Sequence, residues 1–242
     1  KNVTSFPEDN KFLPSDELAI IKSEAPSNST APSISLIKLT KNLPFISIAV
    51  ATFCNNWALY TFLSYLPKFI NSPISVGGLG IELESSMFIY LILIPSFFSI
   101  FSLLLGGYLA DRFIKNGYEV IHVRKTVNSI GFFGAAILLY LISLQDSLIS
   151  VLILLCLINF CSGIGAGGFG VNHADLGPKY TGSLVGISGS FGMIAAIFSP
   201  MVAGYLLEIT NSWSVIFYIC SVILMFGGLF YLKFASASKQ FE

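Results

Sequence analysis

The chain has 242 residues, of which 54% are hydrophobic and only 11% charged, with 13 basic and 13 acidic side chains and no net charge. Soluble domains carry about 25% charged residues, so this chain cannot cover its surface with solvated groups, and its solvent is lipid. Nothing in the neutral balance suggests nucleic acid as a partner.

Residues 1–42 differ from the rest, being rich in Pro, Ser, Asn and Thr. They read as a linker, with "SEAPSNSTAPS" as its flexible part. Within it, "PSDELAIIK" suits a short interfacial helix, with Ser15 as its cap and Asp16 and Glu17 in its first turn. The chain starts at Lys1 without an initiator Met or a signal peptide, and so reads as a piece of a longer protein. Six apolar runs follow, at 43–68, 85–109, 127–144, 148–171, 182–207 and 213–234, and residues 235–242 form a tail. A bilayer core demands about 20 residues per helix, and a backbone in lipid must satisfy its own hydrogen bonds. The expected fold is therefore an all-α membrane protein, a bundle of six transmembrane helices over 43–234.

Basic residues set the orientation. Lys1, Lys11, Lys22, Lys38 and Lys41 precede the first span; Arg112, Lys115, Arg124 and Lys125 flank the second loop; Lys179 lies in the fourth, and Lys233 and Lys239 follow the last span. Only Lys68 lies on the opposite side, so alternate faces carry twelve and one. That asymmetry puts both termini on the cytosolic, or stromal, face.

Several polar groups interrupt the apolar runs. Asn55 and Asn56 lie midway between Lys41 and Lys68, at a depth where such side chains are costly unless they face the bundle or a water-filled path. Two readings stand: they line a transport path, or they join helices through a hydrogen bond worth about 1 kcal/mol. Thr52 and Tyr60 are expected on roughly the same helical face, and Asn159 in the fourth span is read in the same way. The fourth span ends in "GIGAGGFG" and the fifth carries Gly182, Gly186, Ser188, Gly189 and Gly192, a small-residue surface for close helix packing. Asp111 and Arg112 stand where the second span leaves the membrane, either as topology signals or as a latch that closes one gate. Between the fourth and fifth spans, "VNHADLGPKYTG" gathers Asn172, His173, Asp175 and Lys179. Pro178 suits the start of the next helix, Asp175 is either its cap or a gating group, and His173 changes charge near physiological pH.

The enzyme readings are weak. The four cysteines, Cys54, Cys156, Cys161 and Cys220, lie inside apolar runs, and there is no CxxC pair or His/Cys metal spacing, so neither metal nor cofactor is expected. "GISG" (186–189) matches the Gly-x-Ser-Gly of rhomboid proteases, whose His follows the serine; here His122 and His173 both precede Ser188. No aquaporin pair or cation-filter loop occurs.

"VNHADLGPKYTGSLVGISGSFG" resembles the Asn-His-x-Asp-Leu-Gly-Pro-x-Tyr stretch of the anion:cation symporter branch of the major facilitator superfamily. "FCNNWALYTFLSYLPKFI" is similar to that branch's seventh helix, "GGYLADRFIKNG" to the superfamily's Gly-x-Leu-Ala-Asp-Arg loop, and "WSVIFYI" with "FASASKQ" to its end. The resemblance covers residues 14 to 240. It implies helices seven to twelve of twelve, with a missing six-helix N-terminal half as partner, and secondary transport of a small anion coupled to Na⁺ or H⁺. It places the anion-binding arginines mostly in that first half, and it makes the start of the fifth helix there the partner of Asp111 and Arg112. Vesicular glutamate transporters have Arg where this chain has Asn55, and Gly189 replaces the usual Asn; "RFIKNGYEVIHVRKTVNSIGFFG" is closer to the plant plastid members. Phosphate, ascorbate, sialate or glutamate is then the substrate class, and a transporter-derived subunit that binds partners without transporting is the rival reading.

Overall fold

The computed structural model describes residues 13–24, 35–82 and 85–241. Residues 25–34, most of the stretch read as flexible linker, lie outside them, as do Lys1 and Lys11. The chain divides into two compact units, residues 1–33 and 34–242. The first contains α1 (Ser15–Glu24), with Asp16 and Glu17 in its first turn. The Ser15 hydroxyl donates to the neighbouring Asp16 carboxylate at 3.0 Å, a side-chain contact and not the expected cap.

The second unit contains α2 (Leu36–Thr40), α3 (Leu43–Asn71), α4 (Ser85–Lys115), α5 (Val120–Ile142), α6 (Leu148–Phe169), α7 (Asn172–Leu176), α8 (Thr181–Thr210) and α9 (Trp213–Phe234). Of these, α3, α4, α5, α6, α8 and α9 are long and apolar enough to cross a membrane. Two run furthest beyond what hydropathy suggests: α4 extends to Lys115 and α5 begins at Val120. Charged residues are tolerated in end turns because long side chains reach back to the interface, so an apolar run underestimates its helix. Asn42 opens α3 as a cap, its side-chain oxygen accepting from the Phe45 N–H at 2.9 Å.

Lipid tails are as apolar as leucine, so membrane helices gain by close packing and not by excluding water. Gly131 of α5 and Gly165 of α6 show this: a Cβ on Gly131 would sit 2.5 Å from the Gly165 Cα. The packing has a simple order. Helices α4 and α5 pack on α6, α8 and α9 pack on α3, and α5 joins α9; α4–α5 and α8–α9 contacts are slight. Exchanging α3 with α6, α4 with α8 and α5 with α9 leaves this pattern unchanged. Related helices are three crossings apart and so run in opposite directions, which makes the bundle a pair of inverted repeats. The core centres on Trp213, Phe69, Leu139, Ile142 and Tyr231. Helices α4 and α8 end the row, and both present bare apolar faces, Phe97, Leu104 and Tyr108 on one and Ile197, Met201 and Tyr205 on the other.

Candidate functional site

The light contact between α3 and α6, with α4 alongside, leaves a cavity of about 230 Å³. Asn55 enters it from α3, Ser99 from α4, and Asn159 and Ser162 from α6; leucines, Phe62 and small residues complete the lining. Asn55 and Asn159 thus come from two repeat-related helices and meet one space near mid-depth. The Asn159 amide nitrogen donates to the Leu155 carbonyl at 2.9 Å, which leaves its oxygen free. Asn55 makes no hydrogen bond among the described residues. No Lys, Arg, Asp or Glu is among the lining residues. A smaller space of about 90 Å³ shares Phe62 and Asn159 and continues along Pro95 and Ser96 of α4.

Asn56 does not share this space. Successive helical residues point about 100° apart, and Asn56 turns to α8, where its amide and Thr52 lie against Gly192. A Cβ there would collide with the amide, so the glycine is what admits Asn56. The Thr52 hydroxyl is spent on the Ile48 carbonyl at 2.9 Å. Tyr60 is half-buried and lines neither space. One polar face holding Thr52, Asn55, Asn56 and Tyr60 is therefore not what α3 presents: the pair is split, one amide to the cavity and one to the α8 contact.

At the end of α6 the chain turns through α7, and this short helix is tied to everything around it. The Asp175 carboxylate receives the Arg124 guanidinium of α5, with Nε donating at 2.9 Å and Nη2 at 3.5 Å. Arg124 Nη1 also donates to the Gly167 carbonyl at 3.2 Å. Asn172 donates to the Tyr231 hydroxyl of α9 at 2.8 Å. The His173 ring bridges the Gly170 carbonyl, 3.0 Å from Nδ1, and the Ser188 hydroxyl of α8, 2.7 Å from Nε2. Gln240 and Phe241 of the tail donate their N–H groups to the Leu176 carbonyl at 2.8 and 3.1 Å. Asn172 and His173 are buried, and so is Arg124.

The hydrogen bonds fix the histidine's chemistry. Nδ1 faces a carbonyl and must carry a proton. In the neutral ring Nε2 accepts from Ser188. When the ring is protonated Nε2 donates, and the hydroxyl turns to the Val185 carbonyl at 3.2 Å. Both protonation states are therefore bonded at every position. Chain order argues against a Ser188–His pair; the turn through α7 folds His173 back onto α8 and makes one. Neither of these two cavities is lined by Ser188, which is 2% exposed.

Asp175 is an ion-pair partner here and not the cap of α8; a 3-10 turn opened by Pro178 leads into that helix. Asp111 and Arg112 occupy the last turns of α4, exposed and without an ion pair or side-chain hydrogen bond among the described residues. Sequence reasoning missed Arg124, Tyr231 and Ser188 as members of the α7 cluster. Arg124 lies 51 residues from Asp175 and Asn172 lies 59 from Tyr231, and no local spacing encodes either pairing.

The Major Facilitator Superfamily profile matches residues 7–196. Similar proteins include probable anion transporter 1, chloroplastic, of Oryza sativa subsp. japonica, 28% identical over 184 residues, 76% of this chain and 34% of that protein. Sialin of Homo sapiens is 28% identical over 216 residues, 88% of this chain and 42% of its own. Vesicular glutamate transporter 2.1 of Danio rerio is 30% identical over 209 residues, 84% of this chain and 34% of its own. The chain spans less than half the length of each of these relatives.

Proposed function

The chain belongs to the Major Facilitator Superfamily, and on that premise we propose that it is the second half of an alternating-access transporter for a small anion of the phosphate, ascorbate, sialate or glutamate class, driven by Na⁺ or H⁺. The observation that carries this reading is the mid-depth cavity with the unspent Asn55 amide and the free Asn159 oxygen. An unpaired carboxamide in a lipid-embedded bundle costs free energy, and a solute or water in the cavity removes that cost. Two repeat-related helices supply the groups, where secondary transporters place their substrate sites. The wall offers Asn55, Asn159, Ser99 and Ser162 but no cation. These groups can orient hydroxyl, carbonyl or carboxylate oxygens, while the net charge is neutralised by the coupling cation or by groups of the first half, which also covers the bare faces of α4 and α8.

The cluster around α7 makes the half move as one body. It fastens α5, α6, α8, α9 and the tail at one end, so rocking against the first half turns the cavity without opening the bundle. Asn172, His173 and Asp175 belong to this end, and His173 is the member that takes up a proton without losing a bond, which suits it to proton coupling. Asp111 and Arg112, exposed and unpaired among the described residues, are the latch toward the first half on the cytosolic, or stromal, face, where both termini lie. The test is uptake of labelled phosphate, ascorbate, sialate and glutamate by the full-length protein in liposomes under imposed Na⁺ or H⁺ gradients. Gradient-driven uptake of at least one is expected. A correctly folded protein that accumulates none under either gradient supports the rival reading, a partner-binding subunit, which the uncharged cavity wall favours.

A further inference from the structure

Helices α8 and α9 hardly touch each other, although both pack on α3. Between them lies an apolar groove of about 630 Å³. Its floor is α3, where Ala49 and Val50 are small enough to leave depth; Phe191 and Phe226 form its sides, and Leu39 of α2 lies at one end. Thr40 is the only hydroxyl in the lining, and it is spent on the Ile37 carbonyl at 3.1 Å. Nothing in the groove can hold a polar solute.

Length and charge identify what fits. From Phe45 to Cys54 the floor measures about 14 Å at 1.5 Å per residue, close to the roughly 15 Å that one leaflet contributes to a 30 Å hydrocarbon core. The end helix α2 carries Leu36 and Ile37 exposed, positioned like the apolar face of an interfacial helix. Lys38 lies within it and Lys41 directly follows it, both exposed and without an ion pair among the described residues. No acidic residue occurs between Glu24 and Glu82 to neutralise them within this part of the sequence. An apolar slot one leaflet deep, closed at one end by a short helix that carries one unpaired lysine and is followed by another, has the shape and charge of a single lipid with a negative headgroup.

We propose that this groove binds one anionic glycerophospholipid, an acyl chain lying along Ala49, Val50 and Phe53 and the phosphate at Lys38 and Lys41. The lipid fills the gap left by the divergence of α8 from α9 and tethers α2 to the membrane surface. This is a binding site separate from the cavity between α3, α4 and α6.

The test uses full-length protein in nanodiscs of equal palmitoyl-oleoyl phosphatidylglycerol and phosphatidylcholine, extracted into mild detergent and weighed by native mass spectrometry. One retained phosphatidylglycerol per chain is expected, enriched about 25-fold over phosphatidylcholine, at roughly fivefold per lysine near an anionic headgroup. The double variant Lys38→Gln/Lys41→Gln should still retain one lipid but lose the preference. Ala49→Leu, which fills the floor, should retain none; if it elutes aggregated, Val50→Phe serves instead. The proposal is overturned if the parent retains no lipid, if it shows no headgroup preference, or if the groove-filling variant retains lipid like the parent. It is equally overturned if a photoreactive residue at position 50 cross-links to peptide instead of lipid.

Discussion

Two polar regions of this bundle treat their hydrogen-bonding groups in opposite ways. Around α7, Arg124 and Asn172 donate to other elements, Asp175 accepts from Arg124, and the His173 ring is bonded to Ser188 of α8. At the wall between α3 and α6, Asn55 is unspent and Asn159 keeps its oxygen free. Lipid supplies no hydrogen bonds, so the first arrangement is what a structural tie requires and the second is what a wet, ligand-exchanging surface requires. The difference separates residues whose loss should weaken the fold from residues whose loss should alter what passes.

The largest effect belongs to the tie. Asp175→Ala leaves the guanidinium of Arg124, 9% exposed, without its carboxylate, and should cost about 3–5 kcal/mol. Thermal unfolding of the purified protein reads this, and Arg124→Leu/Asp175→Leu should recover most of the loss; a melting curve unchanged by Asp175→Ala breaks the comparison. His173→Gln keeps one of the two ring contacts and should cost about 1–2 kcal/mol by the same measurement. It should also displace the pH profile of uptake, since no other side chain of the cluster ordinarily exchanges a proton near neutral pH. A variant profile that matches the parent's makes His173 a tie alone and sharpens the contrast.

The side-chain oxygen of Asn172, buried without a partner, is one exception inside the tied region, and Asn128 is the larger one. Asn128 is buried one turn beyond Arg124, packed on Gly168, and both atoms of its amide lack partners. Replacing such a group with an apolar one of similar shape is close to neutral or favourable, so Asn128→Leu should raise stability by up to about 1 kcal/mol. A loss of more than that in thermal unfolding shows that the amide is bonded in the membrane and that the region is wetter than its packing indicates. Asp111→Asn should leave unfolding within about 0.5 kcal/mol of the parent, as exposed substitutions do. Its expected effect is on gating: thiol probes added on the side of the termini should reach the cavity more readily. Unchanged accessibility removes the latch.

Much of the architecture was legible because lipid imposes one rule on every span. Helix type and number follow from run length, and α7 lies where "NHADLG" interrupts two apolar runs. The ends of α4 and α5 were not legible, because Arg112, Lys115, Arg124 and Lys125 lower hydropathy without ending a helix. Depth alone draws attention to the Asn55–Asn56 pair, and depth is a local property of sequence. Which of the two faces the cavity depends on Gly192, far along the chain, and the ties of α7 depend on Tyr231, Ser188 and Arg124 on three other helices. Such meetings are products of the repeat packing and have no sequence period.

The central claim is that the wall bearing Asn55 and Asn159 is the surface the transported anion touches. Full-length protein with its native thiols replaced by alanine, carrying Asn55→Cys, Asn56→Cys or Asn159→Cys, is treated with a membrane-impermeant methanethiosulfonate reagent, with and without the anion it takes up. Positions 55 and 159 should react and be protected by the anion, while position 56, held against Gly192, should react far more slowly. Unreactive cysteines at both 55 and 159, or reaction at 56 as fast as at 55 and indifferent to the anion, would contradict the account.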